Sequence, residues 1–233
     1  NSTSRNYYFY GQLFSTFVAI TLGLIAARIY FPNWKRWSVV LLGITIFCLI
    51  LVMLPGISFT KNGATRWIRL GPASFQPAEL LKLTAVIYLA AWFEARREKM
   101  ANWREVLVPF SLMFAAASFV IVIVQRDMGT MMVLTAAVFG LYFVAGAPIK
   151  QYGALLAGTF AAGIVAILAF PHRMERLLVF LDPSKDPTNT GYHISQALIA
   201  IGSGGILGRG LGHSYQIYGY LPEAANDSIF AVI

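Results

Sequence analysis

Six long apolar runs separated by short polar linkers constrain this chain more than any other feature. They are Tyr7–Tyr30, Ser38–Leu54, Ala78–Phe93, Val106–Val124, Gly129–Ala147 and Tyr152–Phe170, and a seventh opens near Ser228. Crossing about 30 Å of hydrocarbon takes about 20 helical residues, and most of the runs meet that length. Inside a bilayer the backbone N–H and C=O groups have no water to bond, so a spanning segment is a helix or a strand of a closed barrel. The period-two alternation of a barrel strand is missing. The expectation is an all-α fold: a polytopic transmembrane helical bundle forming one membrane domain over residues 1–233. Composition agrees, because 12% charged residues is about half the ~25% of a soluble domain. Ala78–Phe93 is short and carries Glu79 and Lys82, so it needs burial inside the bundle. Stretches of small residues, Ala115–Ser118 and Ala157–Gly163, allow close helix approach.

The linkers alternate between two faces. Residues 31–37, 94–105 and 148–151 share one; residues 1–6, 55–77, 125–128 and 171–227 share the other. The short segments and span ends of the first face hold Arg28, Lys35, Arg36, Arg96, Arg97, Lys99, Arg104 and Lys150, and those opposite hold Arg5, Lys61, Arg66, Arg69 and Arg126. Basic residues favour the cytoplasmic side. That puts the large loop, about 171–227, outside the cytoplasm. A loop so long is functional or disordered, and its content of Leu, Ile, Tyr and Gly argues against disorder. Within it, Ile194, Ala197, Leu198 and Ile201 fall at helical spacing, as in a short amphipathic helix lying in the interface. The chain opens at Asn1 without a Met and stops inside an apolar stretch, so it reads as part of a longer protein. Nothing at its start has the layout of a signal peptide. The net charge of +8 comes with no nucleic-acid motif and fits membrane phosphates instead. The one cysteine, Cys48, sits mid-run, makes neither an internal disulfide nor a zinc site, and reads as a small core residue.

Ionisable residues gather in the linkers of the second face. In Asn62–Gly71 and Phe75–Lys82, Pro77 starts a helix, Glu79 falls in its first turn where the dipole favours an anion, and Lys82 is three residues on. Two readings stand: a structural ion pair, or, with Arg66 and Arg69, a site for an anionic group such as a pyrophosphate. In Gln125–Thr130, Asp127 either caps the next helix or shares a cavity with Glu79 and Lys82. In Phe180–Pro187, Asp182-Pro183 and Asp186-Pro187 are natural turn formers and also candidate acids; His193, just beyond, reads as a hydrogen-bonded loop residue. Ile201–Gly212 is glycine-rich, but no strand precedes it, no Walker lysine follows, and Leu207 stands where a dinucleotide fingerprint needs its third glycine. Glu223 and Asp227, in Leu221–Ser228, either cap a helix or line the mouth of a site.

Taken in order, these stretches resemble the FtsW/RodA (SEDS) family of lipid-linked cell-wall glycan polymerases. The shared pattern is Gly63-Ala64…Arg66-Trp67-Ile68, then Phe75-Gln76-Pro77-Ala78-Glu79…Lys82, Gln125…Asp127…Gly129-Thr130, Asp186-Pro187…Gly191-Tyr192…Gln196-Ala197, Ile201–Gly212 and Leu221-Pro222-Glu223-Ala224…Asp227. The Leu-Pro-Glu-Ala ending is closer to the division branch than to the elongation branch. The resemblance implies a large extracytoplasmic loop after the seventh span, with one span before Asn1 and the last few after Ile233. It implies a peptidoglycan glycosyltransferase of the bacterial cytoplasmic membrane, with its active site on the extracytoplasmic face, that polymerises lipid II beside a class B penicillin-binding transpeptidase. Asp186 matches the family's essential loop aspartate; Glu79, Lys82 and Arg66 match residues of its other motifs. Asp127, Gln196, Arg209, Glu223 and Asp227 complete the candidate substrate-binding set. Two departures bear on this: Arg126 stands where the family often has Pro, and Ser228 where Phe is common.

The implied chemistry is attack of an acceptor sugar hydroxyl on the anomeric carbon of a lipid-pyrophosphate donor. The expected roles are Asp186 as general base, with Arg66, Lys82 and Arg209 facing the leaving group. The residues establish no cofactor; a divalent cation, Mg or Mn, is an open alternative for part of that role, though no three-ligand spacing proves a site. Rival readings are a lipid II flippase, which would set its charges near mid-membrane, and a non-catalytic scaffold for the transpeptidase.

Overall fold

The structure, a computed structural model, describes residues 2–54, 58–61, 64–70, 73–188, 190–205, 208, 210 and 230. The chain divides into two compact units, Asn1–Leu155 and Leu156–Ile233.

In the first unit the apolar runs are helices: α1 (Ser2–Arg28), α2 (Phe31–Met53), α3 (Pro77–Glu94), α4 (Val108–Ser118) and α5 (Met128–Val144), with α6 (Ile149–Leu168) starting at its end. A π-helical turn at each end of α4, Trp103–Leu107 and Phe119–Val124, extends it into one helix. Among the described residues, four segments are long and apolar enough to cross a membrane: Phe9–Arg28, Phe31–Met53, Trp103–Val124 and Ile149–Leu168. Two of the expected runs fall short of that measure. Met128–Val144 is a shorter apolar helix, and α3 carries Glu79, Lys82 and Glu94 within Pro77–Glu94.

Those two helices are the ones the bundle buries, as the charges on α3 require. α3 packs between α2 and α5. Its buried residues Ala78, Leu81, Leu89 and Phe93 meet Met131, Leu134, Val138 and Tyr142 of α5, both sets recurring at the three- and four-residue steps of one helix face. Phe110 stacks on Tyr142 at 4.9 Å between centroids and meets Phe93 edge-on at 5.3 Å; aromatic pairs of this kind add about 0.5–1.5 kcal/mol beyond their burial. Between α2 and α3, Thr84 Oγ1 donates to Thr45 Oγ1 at 3.1 Å, worth about 0.6 kcal/mol inside a membrane, so apolar packing dominates that contact. α1 is the opposite case. Phe9, Leu13, Phe17, Leu22 and Leu24 are all more than half exposed, which makes lipid the solvent this helix fits.

The linker between α2 and α3 departs from the all-helical expectation locally. It forms a three-stranded antiparallel sheet, β1 (Ser58–Lys61), β2 (Ala64–Leu70) and β3 (Ala73–Phe75), in the order β1-β2-β3. Lys61 pairs with Ala64 and Phe59 with Trp67. Asn62-Gly63, the two residues between paired Lys61 and Ala64, is the strongest short hairpin signal, and Thr65, Trp67 and Ile68 favour strand. The fold class stays all-α with this small sheet added.

In the second unit, α7 (Pro171–Leu181) follows α6 after two residues. A 3-10 turn, Pro183–Lys185, then leads to α8 (Thr190–Gly204). α8 contains the helix expected over 192–201. α7 was not anticipated. Gly205, Gly208 and Gly210 have φ of +60°, +69° and +89°, the left-handed backbone that only glycine adopts freely.

Candidate functional site

In the first unit the sheet and the helix ends converge on one carboxylate. Asp127 precedes α5, and its Oδ1 accepts from the backbone N–H of Thr130 at 3.0 Å, so it is the N-cap of that helix. Its Oδ2 accepts from Thr130 Oγ1 and from Gln76 Nε2, each at 3.0 Å. Arg66 of β2 brings Nη1 to 3.6 Å from the same oxygen. The guanidinium also donates from Nε to the Gln125 carbonyl at 2.6 Å and from Nη2 to the Arg126 carbonyl at 2.5 Å. One arginine therefore grips three successive residues of the turn and ties the sheet to the end of the α4 helix.

The turn needs such a grip. The π-helical end of the α4 segment closes with Gln125 N–H on the Val120 carbonyl, and Asp127 N–H reaches the Ile121 carbonyl. Arg126 then takes φ +55°, which costs an L-residue roughly 1–2 kcal/mol. Proline, with φ held near −65°, cannot occupy that conformation, so this turn differs from one built on the proline common in the family. Gln125 is buried, and among the described residues its side-chain amide has no hydrogen bond, a further cost carried by the same turn.

Glu79 and Lys82 pair as the spacing indicates, Lys82 Nζ to Glu79 Oε2 at 2.7 Å, with side-chain exposures of 24% for Lys82 and 55% for Glu79. A pair this accessible adds about 1 kcal/mol at most, so stability is a poor reason for its presence. Gln76, whose carbonyl accepts from Glu79 N–H at 3.0 Å, joins this first turn of α3 to Asp127. Gln76, Gln125 and Thr130 stand in the motifs, but the sequence alone assigns them no roles. Their contacts with Asp127 and Arg66 are long-range, except for Thr130, whose place three residues after an Asp is the ordinary capping distance.

In the second unit the elements surround Asp186. Asp182 accepts from Ser184 Oγ at 2.5 Å and from Ser184 N–H at 3.2 Å, capping the 3-10 turn. The Ser184 hydroxyl, its amide and the charge of Lys185 hold the Asp182 carboxyl below its ordinary range, outweighing the opposite effect of desolvation. Asp182 is absorbed into the turn. Asp186 ends that turn, its N–H on the Pro183 carbonyl at 3.4 Å; its Oδ1 accepts from Thr188 Oγ1 at 3.3 Å, and the residue is half-buried. Gly191, in the first turn of α8, is buried against this loop. A Cβ there would collide with the carbonyl oxygens of both Pro183 and Asp186, so glycine is what lets the helix seat on the backbone that carries Asp186. Gln196 and His193 are half-buried on α8. Arg209, Glu223 and Asp227 lie outside the described residues, as does most of the apolar run near Ser228. Among the described residues, no three His, Cys, Asp or Glu side chains converge.

A family model described as cell cycle protein, FtsW/RodA/SpoVE, matches residues 1–233. A protein of Allochromatium vinosum named probable peptidoglycan glycosyltransferase FtsW is 42% identical over 218 residues, 93% of this chain and 54% of that protein. Stage V sporulation protein E of Bacillus subtilis is 33% identical over 222 residues, 95% of this chain and 60% of that one. Among solved structures, a chain from one described as "Structural coordination of polymerization and crosslinking by a peptidoglycan synthase complex" is 30% identical, with a TM-score of 0.63 over 84% of this chain and 57% of its own. The rod shape determining protein RodA of Thermus thermophilus is 26% identical, with a TM-score of 0.53 over 67% of this chain and 49% of its own. The chain spans about half the length of the curated relatives it matches.

Proposed function

Since the chain belongs to the FtsW/RodA/SpoVE family of cell cycle proteins, a multi-pass membrane family, we propose that the protein it spans is a peptidoglycan glycosyltransferase of the division branch. Its substrate is lipid II, the undecaprenyl-pyrophosphate-linked disaccharide peptide, used on the extracytoplasmic face of the bacterial membrane. Its partner is a class B penicillin-binding transpeptidase. In support, relatives named probable peptidoglycan glycosyltransferase FtsW match 93% and 92% of this chain at 42% and 44% identity, and the structural neighbour of higher TM-score comes from a peptidoglycan synthase complex.

In the proposed reaction, the acceptor sugar hydroxyl forms a bond to the anomeric carbon of the donor. The bond from that carbon to the pyrophosphate oxygen breaks, and undecaprenyl pyrophosphate leaves with the electron pair. The hydroxyl proton passes to the carboxylate of Asp186. Lys82, Arg66 and Arg209 are the cations proposed to offset the charge developing on the pyrophosphate. Lys82 suits this best among the described ones, since its partner Glu79 is largely accessible, whereas Arg66 is committed to the 125–127 turn. Glu79, Asp127, Gln196, Glu223 and Asp227 remain proposed contributors to substrate binding, Asp127 acting through Arg66 and Gln76. No step is routed through a metal.

The observation that carries this reading is the seat of Asp186: a half-buried residue at the end of a turn, its backbone held against Gly191. A general base must be held in place. The test is polymerisation of purified lipid II by the complete protein with its transpeptidase. Asp186→Asn should lower the rate by about 10²–10⁴-fold, the usual contribution of a positioned base; unchanged turnover in that variant would reject the assignment. Lys82→Met should slow turnover by destabilising the departing pyrophosphate, and an unaltered rate would remove Lys82 from that role.

A further inference from the structure

α7 is the element no motif pointed to. α6, apolar enough to cross a bilayer, ends at Leu168, and α7 begins at Pro171. The corner between them is tight: the N–H groups of Arg173 and Met174 both bond to the Phe170 carbonyl, and Arg173 Nη1 reaches back to the Ala166 carbonyl at 3.1 Å. The start of α7 is thus tied to the point where the span leaves the hydrocarbon. With 11 residues it is about 16 Å long, too short to cross.

Met174, Leu177, Leu178 and Leu181 recur at steps of three, four and seven, which is one face of a helix. Arg173, Glu175 and Arg176 lie off that stripe, as do Val179 and the exposed Phe180. The rest of the second unit packs elsewhere on the helix: Val179 is buried at 5% exposure, and α7 contacts α8 and the 183–185 turn. Leu177 and Leu178 remain 40% exposed and Leu181 71%. A partly exposed apolar stripe just beyond a membrane span, with Arg176 off to its side, matches the layered chemistry of a bilayer surface, with acyl chains below and phosphates above.

We propose that α7 lies in the headgroup layer of the bilayer, with Leu177, Leu178 and Leu181 in the acyl boundary and Arg176 at the lipid phosphates. The hydrogen-bonded turn that follows, with Lys185 N–H on the Asp182 carbonyl and Asp186 N–H on the Pro183 carbonyl, keeps Asp186 close to the end of α7. The helix therefore sets the height of Asp186 at the level where the pyrophosphate of a membrane-anchored substrate resides; this last step rests on the proposed role of Asp186, and the seating of the helix does not.

The test uses the complete protein with Cys48→Ala and no other native cysteine, in nanodiscs of phosphatidylethanolamine and phosphatidylglycerol. Nitroxides are attached singly through Glu175→Cys, Leu178→Cys and Leu181→Cys. Labels at 178 and 181 should collide with oxygen severalfold more than with a water-soluble nickel chelate, at a depth of about 5–10 Å below the phosphates. The label at 175 should show the reverse preference. Equal nickel access at 175 and 178 would mean that the helix stands in water. Closure of 178 to both reagents would mean that protein covers the stripe; either result overturns the proposal. The readout needs no turnover, so its failure leaves the polymerase reading standing, and an inactive enzyme leaves the depth measurement intact.

Discussion

Asp127 and Asp186 each belong to a turn that leads into a helix, one in each compact unit, and the two turns treat their carboxylates differently. Asp127 accepts from Thr130 twice and from Gln76, and it has Arg66 beside it. Asp186 is half-buried, accepts from Thr188 Oγ1, and is fixed through its main chain, against which Gly191 packs. A carboxylate saturated by donors is a joint: its oxygens are occupied and its orientation follows from theirs. Asp186 is placed chiefly by its backbone, and being held in place is what a general base requires. On the proposed roles, the first turn serves mainly to join elements and the second to place the base.

The sharpest way to break this contrast is at Gly191. Gly191→Ala forces the loop away from α8, and misplacing a catalytic group by about 1 Å costs about 10²-fold in rate. The lipid II polymerisation rate should fall by about that factor, while the melting temperature of the first unit's core is little altered. Asp127→Ala should do the reverse. Loss of the cap and of the Gln76 and Arg66 partners should lower stability by about 1–3 kcal/mol, read from denaturant unfolding in detergent, and Asp127→Asn should recover part of it by keeping the cap.

A smaller effect lies one residue earlier. Arg126→Gly removes the left-handed penalty and should stabilise by about 1 kcal/mol; Arg126→Pro cannot adopt the observed backbone and should destabilise the same turn. The smallest is at Asp182. Its carboxyl is held below the ordinary range by Ser184 first, so the order it lends the loop is complete above the ordinary carboxylate pKa. That order is lost as pH falls through the depressed value. Protection of the Ser184 amide from hydrogen exchange, corrected for the intrinsic rate, should therefore hold at neutral pH and decline as pH falls below about 4, and Asp182→Asn should flatten that decline.

What could be read from the sequence follows the range of the physics involved. Helical spans, the helix start at Pro77, the Glu79–Lys82 pair and the cap at Asp127 depend on neighbours within four residues, and each was legible. The sheet was legible in principle, because Asn62-Gly63 lies between two runs rich in β-branched and aromatic residues. It was passed over because a loop between two spans needs no regular structure. α7 was hidden behind α8: attention to 192–201 overlooked the cleaner stripe at Met174, Leu177, Leu178 and Leu181. The grip of Arg66 on the 125–127 turn spans about sixty residues of chain, and no local pattern encodes a contact of that range. The same holds for Gly191, which looked like one glycine among many until the carbonyls of Pro183 and Asp186 were found against it.

The most direct measurement takes Asp186→Asn and Asp127→Asn side by side in the complete protein with its transpeptidase, scoring glycan strands from lipid II and the unfolding midpoint of each variant. The account predicts that Asp186→Asn makes essentially no strands while unfolding like the wild type, and that Asp127→Asn lowers the midpoint and retains measurable polymerisation. Strands from Asp186→Asn at the wild-type rate, or a folded Asp127→Asn that is equally inactive, would contradict the division between the chemical turn and the architectural one.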